Sequence, residues 1–194
     1  MSVTLDLIDE PRDPFMRDTI ARICPHVESV LDVGCGLSLQ SRFIETDDRV
    51  GLDIYQPFLE RIETHVDYTA INADALDIDK LYAENSFDVV LLVYILEHLD
   101  KESGLRLMEM AEHIARRVVY VQVPHGFIPQ NIDIWGEGGN EYQTHRSGWF
   151  PEEFMQRGYW TIERDYTMRD IKRHDRWRVE PKIKSINAMY LKGD

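Results

Sequence analysis

An α/β sandwich built on a mostly parallel sheet is the fold class that this 194-residue sequence predicts. Three observations predict it. Short apolar runs alternate with amphipathic segments along most of the chain, which is the strand–helix alternation of stacked βαβ units. The run FDVVLLV, Phe87 to Val93, is apolar on both faces, as a parallel strand covered on either side by helices must be. LDVGCG, Leu31 to Gly36, sets glycines at a strand-to-helix turn, where main chain approaches a ligand closely and takes dihedrals closed to other residues.

Each element has its own justification. Asp13 is an N-cap candidate with Pro14 at the first helical position, and Met16, Ile20 and Ile23 then share a face, so a helix is expected over about 13–24. SVLDV (Ser29 to Val33) reads as the first strand, followed by a helix through Phe43 and Ile44. RVGLDI (Arg49 to Ile54) is the second, leading into a helix with an apolar stripe of Phe58, Leu59 and Ile62. Asp67 to Asn72 reads as a short third strand, with a weak helix near Lys80 to Glu84. After the fourth strand, Lys101 to Ala115 reads as a helix with Leu105, Met108, Ala111 and Ala115 on one side. RVVYVQV (Arg117 to Val123) is the fifth strand, ended by Pro124. An irregular stretch over about 124–150 follows; a loop that long is usually functional or disordered. Pro151, Glu152 and Glu153 open a helix that closes at Gly158, and two last strands are expected at Tyr159 to Asp165 and Ser185 to Leu191. The whole reads as a single domain over 1–194.

Composition narrows the function. The net charge of −13 disfavours nucleic acid and anionic membrane as partners, since long-range repulsion opposes approach. Arg169 to Lys184 is the local exception, with seven basic residues against Asp170, Asp175 and Glu180; it reads as a solvated hairpin rim or a recruiter of anionic substrate. The two cysteines, Cys24 and Cys35, have no partner cluster, which excludes a disulfide scaffold or zinc ribbon and suits a reducing compartment. The N-terminus lacks the basic and apolar regions of a secretory signal, and the longest apolar run, Val89 to Leu96, falls far short of the ~20 residues that span a bilayer. A cytoplasmic location is expected.

The glycine turn fits two nucleotide-type cofactors, and spacing separates them. A dinucleotide fingerprint wants Gly or Ala at the sixth loop position, which is Leu39 here. Asp53 ends the second strand, where a carboxylate accepts both hydroxyl hydrogens of a ribose. Asp32, just before the glycines, repels a pyrophosphate but suits a cation, and S-adenosylmethionine carries a sulfonium and an ammonium group.

On VLDVGCG, GLDI, NADALDI (Asn72 to Ile78), SFDVVLLVYILEHL (Ser86 to Leu99) and HRSGWFPEEFMQRGY (His145 to Tyr159), the sequence resembles the small single-domain class I S-adenosylmethionine-dependent methyltransferases of the methyltransferase type 11 kind. The resemblance covers Val30 to about Gly158. It implies a Rossmann-like three-layer sandwich with a seven-stranded sheet, order 3-2-1-4-5-7-6, last strand antiparallel. It implies that Gly34 and Gly36 line the methionine part of the cofactor, with Asp32 near its amino group. Asp53 would then hold the ribose, Ile54 flank the adenine, Asp74 face the adenine amino group with Ala75 beside it, and Tyr94 close the pocket. Where the family often carries a third glycine, this chain has Ser38.

Each residue has a plainer reading: a tight turn for Gly34 and Gly36, a helix cap for Asp53, a loop acid for Asp74, packing or capping for His98. His125, after Pro124, and His145, after the glycine-rich GEGG run, are the candidate general bases, with substrate binding or loop stabilisation as the other readings of each. Trp135, Tyr142 and Trp149 are candidates to cover the substrate and shield it from water, or to pin the loop onto the core. No spacing of His, Asp or Glu suggests a metal-ligand set, and none is expected. The expected reaction moves a methyl group to an O, N or S nucleophile, by default on a small molecule. The rival readings are a non-catalytic S-adenosylmethionine-binding module and a nicotinamide-dependent oxidoreductase.

Overall fold

The sheet has seven strands in the order β3-β2-β1-β4-β5-β7-β6. The structure is a computed structural model of the chain, and it describes residues 14–37, 41, 44–62, 68–131, 140–166 and 183–193. The strands are β1 (Ser29–Val33), β2 (Asp48–Asp53), β3 (Thr69–Asn72), β4 (Phe87–Val93), β5 (Ala115–Pro124), β6 (Trp160–Tyr166) and β7 (Ile183–Leu191). β1, β2, β3, β4 and β5 pair parallel, and β7 runs antiparallel between β5 and β6. The chain direction across the sheet reverses between β1 and β4, and ligands of such sheets bind at the carboxyl ends of the strands there.

Period-two alternation in β4 shows why the sheet is covered on both sides. Val89, Leu91 and Val93 pack with Met16, Ile20 and Cys24 of the α1 (Phe15–Ile23) side. Val90 and Leu92 pack on the other face with Ile78 of α3 (Ile78–Leu81), Leu107, Met108 and Ala111 of α4 (Lys101–Ile114), and Phe154 of α5 (Pro151–Gln156). Two apolar layers of this extent are the main favourable term holding the sandwich together.

Several elements differ from expectation in extent. α1 starts at Phe15 with Pro14 in the N-cap place, and Asp13 lies outside the described residues. β2 stops at Asp53 because that side chain turns back to accept the Tyr55 amide, so Ile54 leaves the strand. α2 (Gln56–Leu59) is only four residues long and buries Phe58, with Leu59 and Ile62 half-buried. The helix expected near Lys80 begins earlier: the Asp74 carboxylate accepts the Leu76 amide at 2.9 Å, capping a 3-10 turn at Ala75–Asp77 that runs directly into α3. On α4 the buried stripe is Gly104, Leu107, Met108, Ala111 and Ile114, with Leu105 half-buried and Ala115 already in β5. α4 begins where Asp100 accepts the Ser103 amide at 2.9 Å. Phe43, Asp67, Trp135, the GEGG run and most of the basic stretch from Arg169 lie outside the described residues, as do Ser38 and Leu39.

Candidate active site

The glycine turn leaves β1 with positive φ at Gly34 (72°) and Gly36 (52°). Both conformations are cheap only for glycine. At Gly34 a Cβ would stand 2.5 Å from Cδ1 of Ile95, while at Gly36 nothing lies within 4 Å of one. The turn is therefore packed from below and bare above. It is also tied to the neighbouring strand. The Gly34 and Cys35 amides donate to the Leu52 carbonyl at 2.7 and 3.0 Å, and the Gly36 amide donates to Oδ2 of Asp53 at 2.8 Å.

Asp53 is thus a fastener as well as an acid at the strand end. Its Oδ1 takes the Tyr55 amide at 2.8 Å, which leaves each oxygen a further lone pair for a hydroxyl donor. Burial pushes its carboxyl above the usual range, against the pull of these two amides. Asp32, in β1, is buried, and desolvation raises it to about 6, offset by a hydrogen bond from Ser41 and increased by the charge of Asp53. Two acids held close together in a poorly solvated place favour a positively charged guest, because a cation restores the stability that burial removes from both. Bare main chain, a ribose-competent carboxylate and a second acid beside it fit the nucleoside, amino and sulfonium groups of S-adenosylmethionine.

The other residues expected at a cofactor lie on the next strand ends. Ile54 is 37% exposed, an aliphatic surface beyond β2. Asp74 caps its turn with one oxygen and is otherwise exposed, and Ala75 is buried beside it. Tyr94 follows β4 with φ at 55°, rare for a non-glycine residue, and its hydroxyl accepts from Nε2 of Gln122 at 3.1 Å. Sequence reasoning quoted Asn72 in a motif but gave it no role. Its Nδ2 donates to the carbonyls of Asp53 and Ile54 at 3.0 and 2.9 Å, clamping the end of β2. Tyr68 was also missed. Its hydroxyl occupies the place of a Cβ on Gly51 and hydrogen-bonds the buried Cys35 thiol, whose ionisation burial opposes. That signal is a lone glycine inside a strand pattern, which marks a close approach.

The two candidate bases are not brought together. His125 hydrogen-bonds Glu163 of β6 through Nδ1 at 2.8 Å and meets Phe150 edge-on, so it is engaged toward the β6 side of the sheet. His145 instead lies against His98, ring centroids 4.9 Å apart. The segment carrying it is zipped to the turn after β4: the Arg146 and Ser147 amides donate to the Glu97 carbonyl, and Ser147 Oγ donates to the Leu96 carbonyl at 3.0 Å. Desolvation lowers His145 and takes His98 down to about 4, so both imidazoles are neutral at pH 7. Glu97, only 3% exposed, is pushed up to about 8 by burial.

Trp149 is not a cover for substrate. It is 1% exposed, packs on Phe154, donates Nε1–H to Ser147 Oγ, and carries the Lys101 ammonium 3.6 Å above its ring. Gly104 of α4 makes room for it, since a Cβ there would stand 2.6 Å from the indole. Tyr142 is exposed, in line with a covering position. Among the described residues no helix is long and apolar enough to cross a membrane.

Comparison with known proteins follows this geometry. A search of curated proteins by sequence found no match. Solved structures share the fold. An S-adenosylmethionine-dependent methyltransferase from Archaeoglobus fulgidus is 17% identical, with 92% of this chain and 93% of that one covered at a TM-score of 0.59. The plantazolicin methyltransferase BamL, solved with a triazolic desmethylPZN analog and S-adenosylhomocysteine, is 15% identical over 92% and 82% of the two chains, TM-score 0.57. A Leishmania major S-adenosylmethionine-dependent methyltransferase is 13% identical over 90% and 70%, TM-score 0.63. Residues 31–120, which carry the glycine turn, Asp53, Asp74 and Tyr94, match the family described as methyltransferase domain. Motif, sheet order and family match agree: the stretch 31–120 is similar to the methyltransferase domain family, and the sheet has the fold of solved S-adenosylmethionine-dependent methyltransferases.

Proposed function

We propose that the chain is a class I S-adenosylmethionine-dependent methyltransferase that acts, as a single cytoplasmic domain, on an O, N or S nucleophile of a small molecule. The observation that carries the reading is the 2.8 Å bond from the Gly36 amide to Asp53, which fixes the bare turn and the ribose-binding acid to one crevice. Asp53 holds the ribose hydroxyls and Asp32 lies toward the amino group. Gly34 and Gly36 admit the methionine part, while Ile54 flanks the adenine and Asp74 faces its amino group beside Ala75. Tyr94 closes the pocket from the end of β4. When bound, S-adenosylmethionine supplies a methyl group activated by its sulfonium and leaves as S-adenosylhomocysteine.

The chain's own task is alignment and exclusion of water, which are worth about 7–11 kcal/mol in favourable cases. A lone pair of the acceptor attacks the methyl carbon in line with the departing sulfur. An acceptor proton, where one remains, passes to His145, which is neutral at pH 7 and on the β4–β5 side of the crevice. His125 serves as an acceptor contact through its pairing with Glu163. The net charge of −13 favours a small acceptor over nucleic acid.

Calorimetry with S-adenosylhomocysteine on the native chain and on Asp53→Ala tests the donor site. Loss of charge-assisted hydrogen bonds worth about 1.5–3 kcal/mol weakens binding roughly 10- to 150-fold; equal affinities remove Asp53 from the site. Incubation with methyl-labelled donor and a cell extract tests the acceptor. Label is expected in the small-molecule fraction, and label confined to RNA or protein overturns that assignment.

A further inference from the structure

The cluster at the ends of β4 and β5 has a chemistry that methyl transfer does not require. Glu97, His98 and His145 each bring one donor atom within 4.8 Å of the other two. The histidines are poised alike. His145 Nδ1 lies 2.7 Å from the Ile128 carbonyl and His98 Nδ1 lies 3.3 Å from the Thr144 carbonyl. A carbonyl oxygen only accepts, so each Nδ1 carries the ring proton and each Nε2 keeps a lone pair. Histidines that ligate metals are oriented in this way, with the second nitrogen donating to a carbonyl or carboxylate.

The carboxylate supplies an independent observation. Glu97 is 97% buried, and its Oε2 has no hydrogen-bond partner among the described residues. A buried carboxyl oxygen without a partner costs about 1–3 kcal/mol or more, so such groups call for an explanation. Lys101, at the start of the next helix, does not supply one, being committed to Glu153 and the Gly148 carbonyl. Backbone bonds from residues 146 and 147 to the Glu97 carbonyl hold the acid under the loop instead of releasing it to solvent.

We propose that Glu97, His98 and His145 form a binding site for a divalent first-row transition ion of the zinc or cobalt class. Two imidazole nitrogens and one carboxylate oxygen are a donor set that suits these ions, and three protein ligands leave a coordination position open. Bonds of about 2.0–2.2 Å at tetrahedral angles put ligands on one ion about 3.3–3.6 Å apart. The cluster therefore contracts by roughly 1–1.5 Å on binding, a movement within reach of side-chain rotation. Calcium and magnesium prefer all-oxygen shells, so the two nitrogens disfavour them. The site is separate from the donor turn, but an ion there takes the one lone pair of His145, so with the ion bound any acceptor proton passes to His125 instead.

The test uses the untagged full chain and cobalt chloride, with zinc chloride in competition. One equivalent of cobalt is expected to give visible absorption bands of a nitrogen-ligated site, bleached by zinc, and to raise the melting temperature by mass action. Glu97→Gln and His145→Ala, each checked for native circular dichroism, are expected to lose the bands and to bind at least tenfold more weakly. His113→Ala, on α4 away from the cluster, is expected to retain them. Absence of stoichiometric binding by the native chain overturns the proposal. So does binding that persists unchanged in both cluster variants, which would assign it to surface histidines. Calorimetry with S-adenosylhomocysteine on the same variants keeps the two sites apart, since donor binding is expected to survive the loss of metal.

Discussion

The ends of β1, β2 and β3 and the ends of β4 and β5 are two halves of one crevice edge, and they are built on opposite plans. On the donor half, the polar side chains are engaged by main chain: Gly36 and Tyr55 amides on Asp53, Leu76 on Asp74, and Asn72 on two carbonyls. On the other half, a distant loop is zipped over the turn after β4, and the side chains beneath it are two imidazoles and an acid with an orphan oxygen. A half with satisfied acceptors presents a fixed shape to a ligand. A half with unspent donor capacity is held by the core around it.

The sharpest way to break this contrast is at Trp149. If the acceptor-side loop is held by core packing, Trp149→Ala costs about 3–5 kcal/mol, as for other fully buried aromatic residues. Ile54→Ala, at an exposed donor-side position, is expected to stay within about 0.5 kcal/mol. Urea denaturation measures both. A cost below about 1 kcal/mol at Trp149 shows that the Lys101–Glu153 pair and the Glu97 carbonyl bonds carry the loop instead.

A second prediction concerns Asp32. Its folded pKa, about 6, lies above the usual value of 3.8, so the folded chain binds the proton more tightly than the unfolded one. The protonated form favours folding, and the contribution is fully present below about pH 4. It is lost as pH rises to about 6 and stays lost above that. At 1.36 kcal/mol per pKa unit, stability falls by about 2–3 kcal/mol across this window. Asp32→Asn is expected to flatten that part of the profile, measured by urea denaturation at several pH values. An unchanged slope places the titration elsewhere.

The same contrast explains what the sequence revealed. The positions of the glycine turn and of the acids at the ends of β2 and β3 were legible because they are local, in short contiguous motifs; their role toward a donor is the proposal made above. Sheet order came with those motifs, and β4 was recognisable from its apolar run to the residue. The cluster of Glu97, His98 and His145 was not legible, because the two segments that form it are far apart in the chain and neither has ligand-like spacing. Trp149 stayed open between cover and core for a related reason. An aromatic residue in a polar loop looks like a cover, and only Gly104 on α4, which opens a slot for the indole, turns it into core. Asn72 was overlooked because clamping carbonyls leaves no pattern in a single sequence.

Asp74 gives the finest test, because capping and ligand recognition use the same carboxylate there. Its Oδ1 accepts the Leu76 amide, so Asp74→Ala loses a cap worth about 0.5–2 kcal/mol of stability whatever else the residue does. Asn keeps an acceptor at that position and is expected to preserve the fold. It also puts an amide where the carboxylate would accept from the adenine amino group, and a rotated amide still offers its oxygen only if the cap is given up. Asp74→Asn is therefore expected to leave the melting temperature unchanged while weakening S-adenosylhomocysteine a few-fold in calorimetry. Should Asn bind as tightly as Asp, the residue belongs to the turn alone, and adenine recognition on this half rests on Ile54 and the main chain.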